Sequence, residues 1–302
     1  MMPTLGLGCA AFGVLTDATS DSAVMALIDH AWNAGIRYFD TSPLYGSGRS
    51  EVLLGHALAD HRPGAILSTK VGHRLTAPFG ARPSRAERRT DFSARFVLHS
   101  VEESLARLQR ETIDLVLLHD PDKDLLDEAM DEALPALREL QGRGVITAVG
   151  IGTNRVDTAL RAIARAKLDV VLVAGRHTLL DRSADTRLLP ECARADLPVI
   201  LGGLLNSGLL ADHPGRETFD YAPAPPDMLA MRDRLAGICS AYHVPLRAAA
   251  LQLPGRLARA TTLLGPATVE ELKDGLAMLE FPIPEDCWLA LDACVTGVVP
   301  PR

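Results

Sequence analysis

The stretch Ile113–His119 reads IDLVLLH, in which four consecutive apolar residues run directly into a histidine. A second stretch, VVLV at Val170–Val173, is apolar without a break. Strands with one face in water alternate apolar and polar residues, whereas parallel strands covered by helices on both faces are continuously apolar. Both stretches therefore predict buried parallel strands.

Runs of this kind recur between amphipathic segments rich in Ala, Leu and Arg. Such alternation of strand and helix patterns predicts a parallel α/β architecture. Eight runs match the (β/α)8 TIM barrel, which holds about 250 residues in one domain. We therefore expect residues 1–302 to form a single barrel domain. The expected strands are Leu5–Gly8, Arg37–Asp40, Ala65–Lys70, Ile113–His119, Ile146–Gly152, Val170–Val173, Val199–Gly202 and Thr262–Leu264. The expected helices are Ser22–Ala34, Glu51–Ala59, Ala94–Leu108, Leu125–Gln141, Val156–Ala166, Ser183–Ala195, Asp227–Tyr242, Leu246–Leu253 and Glu270–Leu279.

Composition and charge argue against several classes of protein. The net charge is −7, and the densest basic run, at 82–89, contains no aromatic residues, so nucleic-acid binding is not expected. No run approaches the ~18 apolar residues of a membrane span, and the N-terminus lacks the pattern of a secretory signal. The five cysteines lack the paired spacing of zinc sites. We expect a cytoplasmic protein with reduced thiols, without a metal and without a membrane partner.

Several expected strands end in polar residues. Asp40, Lys70 and His119 close the second, third and fourth strands, and the fifth strand runs into Thr153 and Asn154. The carboxyl ends of all strands of a parallel barrel meet at one rim, where active sites lie. We therefore expect these side chains to surround one site.

Tyr45 lies five residues beyond Asp40, on a loop that contains one proline and two glycines. A free tyrosine has a pKa near 10, but a lysine cation ~4 Å away stabilises the phenolate by roughly 4 kcal/mol at an effective dielectric of ~20. Lys70 is the expected cation, Asp40 keeps it charged, and His119 orients the substrate oxygen or shares the proton. A packing tyrosine and a strand-end ion pair are the structural alternatives, but four complementary groups on one rim favour catalysis.

The segment Gly35–Gly46, GIRYFDTSPLYG, resembles the signature of the aldo-keto reductase superfamily. Later landmarks ending at Lys70, His119 and Asn154 follow in the family's order, so that the resemblance covers nearly the whole chain. It implies a barrel without a Rossmann domain. It also implies that the aspartate, tyrosine, lysine and histidine named above form a catalytic tetrad, with the tyrosine as acid or base.

Further segments narrow the resemblance. AGRHTLLD at Ala174–Asp181 and LGGLLNSGLL at Leu201–Leu210 resemble bacterial L-fucose or D-threo-aldose 1-dehydrogenases and the related pyridoxal 4-dehydrogenases. SVEESLARL at Ser100–Leu108 is similar to plant L-galactose dehydrogenases and bacterial sugar dehydrogenases. These resemblances imply oxidation of a cyclic sugar hemiacetal to a lactone, with Tyr45 as the general base.

The family resemblance also implies a nicotinamide cofactor across the barrel mouth. Ala174 and Gly202 depart from many members, which have a carboxamide-binding glutamine and a stacking aromatic there. In the last loop, residues 264–271, helix N-terminal amides offer a phosphate site, but no Arg or Lys occurs before Lys273. Its two glutamates repel a 2′-phosphate and accept a hydrogen bond from a ribose hydroxyl, so we predict NAD over NADP. The expected cofactor-binding residues are Thr153, Asn154, Gly203, Leu205, Ser207, Gly265, Pro266, Ala267 and Glu271.

Phe12, Arg176 and His177 are expected to join Tyr45 and His119 in substrate binding. For Arg176 and His177, an ion pair at the rim is an equally good interpretation. The segment 72–91, with five arginines, is expected either to close over the mouth as a lid or to remain a mobile loop.

The pattern G-x-G-x-x-A at Gly6–Ala11 matches a dinucleotide-binding fingerprint. Gly13 and Thr16 interrupt the helix that this fingerprint requires. We therefore interpret the segment as the first barrel strand and the turn after it.

These features together predict an NAD-dependent enzyme that oxidises an aldose at C1 to the aldonolactone. Pyridoxal oxidation, or reduction of an aldehyde or ketone at the same site, is one alternative. A non-catalytic, nicotinamide-binding regulatory subunit is the alternative from another class. The expected partner is a small sugar or aldehyde, and the expected state is a monomer or homodimer.

Overall fold

The computed structural model describes residues 2–14, 16, 19–58, 63–81, 87–121, 124–211, 217–220 and 222–296. Eight parallel strands form a closed barrel, which confirms the predicted fold, and their order around the barrel is β1-β12-β9-β8-β7-β6-β3-β2. These strands are β1 (Leu5–Gly8), β2 (Tyr38–Asp40), β3 (Ile66–Val71), β6 (Ile113–His119), β7 (Ile146–Thr153), β8 (Val170–Ala174), β9 (Val199–Gly202) and β12 (Ala260–Leu264). Two antiparallel pairs lie outside the barrel, namely β4 (His73–Arg74) with β5 (Arg89–Thr90), and β10 (Thr218–Phe219) with β11 (Ala222–Pro223).

The barrel closes where the first strand lies between the last and the second. Leu5 pairs with Thr262 of β12, and Gly6 pairs with Tyr38 of β2. A Cβ on Gly6 would lie 2.3 Å from the Tyr38 ring, so the tyrosine fills the space that glycine leaves. After β1 the chain makes a short 3-10 turn at Ala10–Gly13 instead of a long helix, which confirms that Gly6–Ala11 is a barrel strand and its turn.

Helices cover the outside of the barrel: α1 (Asp21–Asn33), α2 (Arg49–Leu58), α3 (Ala94–Leu108), α4 (Leu126–Glu128), α5 (Leu134–Gly142), α6 (Val156–Arg165), α7 (Leu188–Arg194), α8 (Pro226–Ala241), α9 (Leu246–Gln252), α10 (Val269–Leu279) and α11 (Glu285–Thr296). The predicted helix Leu125–Gln141 contains a π-helical turn at Ala129–Ala133. Among the described residues, no helix combines the length and the apolar character needed to cross a bilayer.

One predicted helix start was wrong, and one helix was not predicted. The helix expected from Ser183 begins only at Leu188, because Asp181 accepts a hydrogen bond from the Ser183 amide at 2.9 Å and forms a local turn. The last helix, α11, was not predicted, and it buries Trp288 and Leu291 in a second apolar cluster beside α8 and α9.

Candidate active site

The structure brings Asp40, Lys70 and His119 together because they lie at the carboxyl ends of β2, β3 and β6, which are consecutive in the barrel. Asp40 pairs in register with Ser68, two residues before Lys70, and Lys70 pairs with Leu117, two residues before His119. The three side chains therefore share one part of the rim.

Asp40 and Lys70 form a buried ion pair. The Lys70 ammonium donates to Asp40 Oδ2 at 2.6 Å and to the Thr41 carbonyl at 2.7 Å, and the Ser68 hydroxyl donates to Asp40 Oδ1 at 2.6 Å. Burial by itself lowers the pKa of Lys70, but the charge of Asp40 and the phenol of Tyr45 outweigh it and raise this pKa to about 12. Lys70 is therefore a fixed cation at neutral pH.

Tyr45 is half-buried, and its ring lies beside that cation. The distance from Lys70 Nζ to the Tyr45 ring centroid is 5.0 Å. The loop that carries Tyr45 packs against the turn after β1, where a Cβ on Gly46 would lie 1.9 Å from the Gly13 carbonyl oxygen. The amide of Gly80 donates to the Gly46 carbonyl at 2.8 Å, so the described part of the segment 72–91 also contacts this loop.

His119 is 8% exposed and lies among polar and aromatic neighbours. Its Nδ1 is 3.1 Å from Ser42 Oγ, and its ring centroid is 6.1 Å from that of Tyr45 and 5.0 Å from that of His73. Burial lowers the pKa of His119 well below its usual value, and the nearby charges of His73, Lys70 and Arg88 lower it further. The imidazole is therefore neutral at pH 7.

Sequence reasoning missed two of these neighbours. Ser42 belongs to the same segment as Tyr45, and His73 lies three residues beyond Lys70, two residues after the end of β3. Both residues follow shortly after a barrel strand, and such residues lie at the rim. That position could have identified Ser42 and His73 from the sequence.

A buried carboxylate supports the back of β3. Glu51 has no exposed surface, and it accepts hydrogen bonds from Thr69 Oγ1 at 2.5 Å and from Arg107 Nε at 2.6 Å. These contacts connect α2 and α3 to the residue that precedes Lys70, so Glu51 helps to fix the strand end.

The expected cofactor-binding residues occupy the other part of the rim, because β7, β9 and β12 lie beyond β6 in the barrel. Asn154, Gly203 and Gly265 are exposed, Leu205 and Ser207 are half-buried, and Thr153 and Pro266 are buried. One expectation needs correction: the Ala267 amide donates to Glu271 Oε2 at 2.7 Å. It is therefore not open to a phosphate.

Asn206, within the expected cofactor loop, was also missed. It is 3% exposed, and within the described part of the chain neither Nδ2 nor Oδ1 has a hydrogen-bond partner. The amide lies beside Gly175, whose Cβ, if present, would be 3.8 Å from Asn206 Nδ2. An unsatisfied buried amide costs about 1–3 kcal/mol, so a polar group of a bound cofactor fits here.

Phe12, Arg176 and His177, which were expected to bind substrate, are buried or paired with carboxylates. Phe12 has no exposed surface and packs in the core, so its assignment to the substrate stays a prediction that its burial does not favour. Arg176 Nη1 lies 2.9 Å from Asp181, and its Nη2 lies 2.6 Å from Asp220. His177 is 3% exposed, and its Nδ1 is 2.5 Å from Asp185 Oδ1. The interpretation as ion pairs at the rim therefore describes Arg176 and His177.

Comparison with known proteins gives consistent similarities. The model of the Aldo/keto reductase family matches residues 4–296. The chain is 37% identical to a D-threo-aldose 1-dehydrogenase from a Pseudomonas species over 96% of this chain and 93% of the relative. It is 35% identical to a pyridoxal 4-dehydrogenase from Microbacterium luteolum over 95% of this chain and 92% of the relative.

A solved aldo-keto reductase from Bacillus halodurans shares the fold with a TM-score of 0.77 at 24% identity, over 96% of this chain and 91% of that one. The family match spans the strands that carry the tetrad and the loops around it. The chain therefore belongs to the aldo/keto reductase family and is an NAD(P)-dependent oxidoreductase that acts on CH–OH groups.

Proposed function

We propose that this chain uses NAD to oxidise an aldose at C1 to the aldonolactone, within a single barrel domain. The observation that carries the proposal is the pairing of a charged Lys70 with Tyr45, beside a neutral His119 on the same rim. The similarity to a D-threo-aldose 1-dehydrogenase supports the choice of substrate.

In the proposed mechanism Tyr45 is the general base that takes the proton of the C1 hydroxyl. The Lys70 cation stabilises the phenolate, and Asp40 keeps that cation charged and in place. Nδ1 of His119 lies 3.1 Å from Ser42 Oγ, and we propose that the Ser42 hydroxyl donates its proton to Nδ1. The histidine proton is then on Nε2, which donates to a substrate oxygen. A bound nicotinamide supplies the hydride acceptor.

We propose that three parts of the rim bind the cofactor. They are Thr153 and Asn154 at the end of β7, the loop 203–207 with the buried Asn206 amide, and the loop 265–271. The preference for NAD rests on Glu270 and Glu271, which lie in the first turn of α10 and repel a 2′-phosphate. The cytoplasmic location and the monomeric or dimeric state stay predictions from the sequence.

Pyridoxal is the second candidate substrate, favoured by the similarity to a pyridoxal 4-dehydrogenase. Reduction of an aldehyde or ketone uses the same residues in the reverse direction, with Tyr45 as the acid. A regulatory subunit, the alternative from another class, would bind the cofactor without steady turnover.

The test is the appearance of NADH absorbance with L-fucose, L-galactose, D-arabinose and pyridoxal, using NAD and NADP in parallel. We expect sugar oxidation, with a higher kcat/KM for NAD. We expect Tyr45→Phe to lower kcat by about 100-fold or more while NADH binding by fluorescence is retained. Tyr242→Phe, at an exposed tyrosine, is the matched control. Normal kcat in Tyr45→Phe would contradict the role of Tyr45, and preference for NADP would contradict the cofactor proposal.

A further inference from the structure

His73 belongs to a hairpin that the backbone holds firmly against the barrel. Gly72 has φ +113° and turns the chain after β3, and a Cβ there would lie 2.2 Å from the Phe92 ring. The Asp91 amide donates to the Gly72 carbonyl at 3.0 Å, and His73 pairs with Thr90 across the hairpin. These contacts determine where the His73 side chain lies.

The ring of His73 packs against the ring of His119. Their centroids are 5.0 Å apart and their planes meet at 86°, and each residue is 8% exposed. The Tyr45 ring, at 6.1 Å and 88°, makes a second contact of the same type with His119. Edge-to-face contacts at these separations are the preferred packing of aromatic rings. Tilting the His119 ring plane would break both ring contacts, and a 180° flip of the ring would break the contact between Nδ1 and Ser42.

We propose that His73 is a positioning residue that holds the His119 ring so that Nε2 is presented to the substrate oxygen. Nδ1 of His119 faces Ser42, whereas Nε2 is 3.8 Å from Asp120 Oδ2, beyond the end of β6. His73 contacts His119 rather than the reacting atoms. The inference rests on the proposed function, because that function assigns the substrate contact to His119.

The positive charges around His119 favour its neutral form. Lys70 comes from β3, Tyr45 from the loop after β2, Asp120 from the residue after β6, and His73 and Arg88 from the hairpin segment. Burial lowers the pKa of His119 most, and His73, Lys70 and Arg88 add to this effect. A neutral imidazole has two tautomers, and the orientation of the ring determines which one persists.

The test compares His73→Phe, which keeps a ring, with His73→Leu, which fills similar volume without one. The measurement is the NMR chemical shifts of the two ring nitrogens of His119 in cofactor-free protein. The signals are assigned to His119 because they disappear in His119→Asn. We expect one tautomer, protonated on Nε2, in the natural protein and in His73→Phe, and a mixture of tautomers in His73→Leu. His99→Leu, at an exposed histidine of α3, is the matched control.

Kinetics give a second measurement. With an aldose substrate we expect kcat of His73→Phe to stay within about threefold of the natural value, and kcat of His73→Leu to fall about tenfold with little change in KM. His73→Gln replaces the leucine variant if that variant does not fold by circular dichroism.

Unchanged His119 shifts in both ring-free variants would overturn the proposal, as would a phenylalanine variant that behaves like the leucine variant. The spectra need no substrate. A protein that oxidises no sugar would therefore disprove the proposed function, while the chemical shifts would still test the role of His73.

Discussion

Two buried bases lie side by side in opposite charge states. Lys70 is protonated because Asp40 is 2.6 Å away and compensates for the loss of water. His119 is neutral because it is buried with cationic neighbours, and its nearest carboxylate, Asp120, is 3.8 Å away and partly exposed. In the proposed mechanism, this difference lets Lys70 stabilise a phenolate while His119 donates a hydrogen bond as a neutral group.

The neutral His119 has a consequence for stability. Its pKa in the folded chain lies well below the unfolded value of about 6.5, so below pH 6.5 the unfolded chain binds a proton that the native state excludes. Stability is therefore lost as the pH falls from the unfolded pKa toward the folded one. Between pH 6.5 and 5.5 we expect His119 to lower the free energy of unfolding by up to about 1 kcal/mol.

Urea unfolding of the natural protein and of His119→Asn at both pH values measures this contribution as a difference. His99→Asn, on the surface of α3, is the control and should keep the natural pH dependence. An equal loss of stability in the natural protein and in His119→Asn would show that His119 is not held neutral.

At the scale of elements, the position of Tyr45 depends on the close approach of two loops. A Cβ on Gly13, in the turn after β1, would lie 2.4 Å from the Tyr45 carbonyl carbon and 2.5 Å from the Gly46 amide nitrogen. The Tyr45 loop can therefore occupy its place only because residue 13 lacks a side chain.

Gly13→Ala is expected to displace the Tyr45 loop and to lower kcat by at least about tenfold, because small displacements of a catalytic group have large effects on rate. Steady-state kinetics and thermal unfolding check this expectation. Gly142→Ala is the control, since a Cβ at Gly142 meets nothing within 4 Å. Natural kcat in a folded Gly13→Ala protein would contradict the proposed dependence.

At the scale of the whole molecule, the described residues form three apolar clusters. The largest lies between the barrel and its helices, the second includes Leu235, Cys239 and Trp288 of α8 and α11, and the third consists of strand residues such as Leu117 and Ile200. Asp40, Tyr45, Lys70 and His119 lie at or after the carboxyl ends of β2, β3 and β6, strands that contribute no residue to the second cluster.

Trp288→Ala is therefore expected to cost about 3–5 kcal/mol of stability while kcat at 20 °C stays within about twofold. Trp288 is 6% exposed, and its ring also packs beneath the Arg256 guanidinium at 4.7 Å. Denaturant unfolding and steady-state kinetics test the two halves of this prediction. Leu289→Ala, at a neighbouring residue that is 60% exposed, should change neither quantity appreciably.

Local pattern was sufficient for the barrel and for its principal polar residues. Continuous apolar runs mark buried parallel strands wherever they occur, and the last residue of such a strand reaches the rim in any barrel of this kind. Asp40, Lys70 and His119 were therefore recognisable from their own strands. Helix α11 was not recognised, because its burial depends on α8 and α9 rather than on a neighbouring strand.

Contacts between distant parts of the chain required the tertiary structure. Ser42 and His73 are 77 and 46 positions from His119 but touch its ring, and Arg176 pairs with Asp220 across 44 positions. Such contacts depend on the order of strands around the barrel and on loop conformation, neither of which leaves a periodic pattern in the sequence. The apolar pattern thus determined the barrel and the rim, whereas the orientation of His119, the pairing of Arg176 and the burial of Phe12 and Asn206 arose only when the loops packed together.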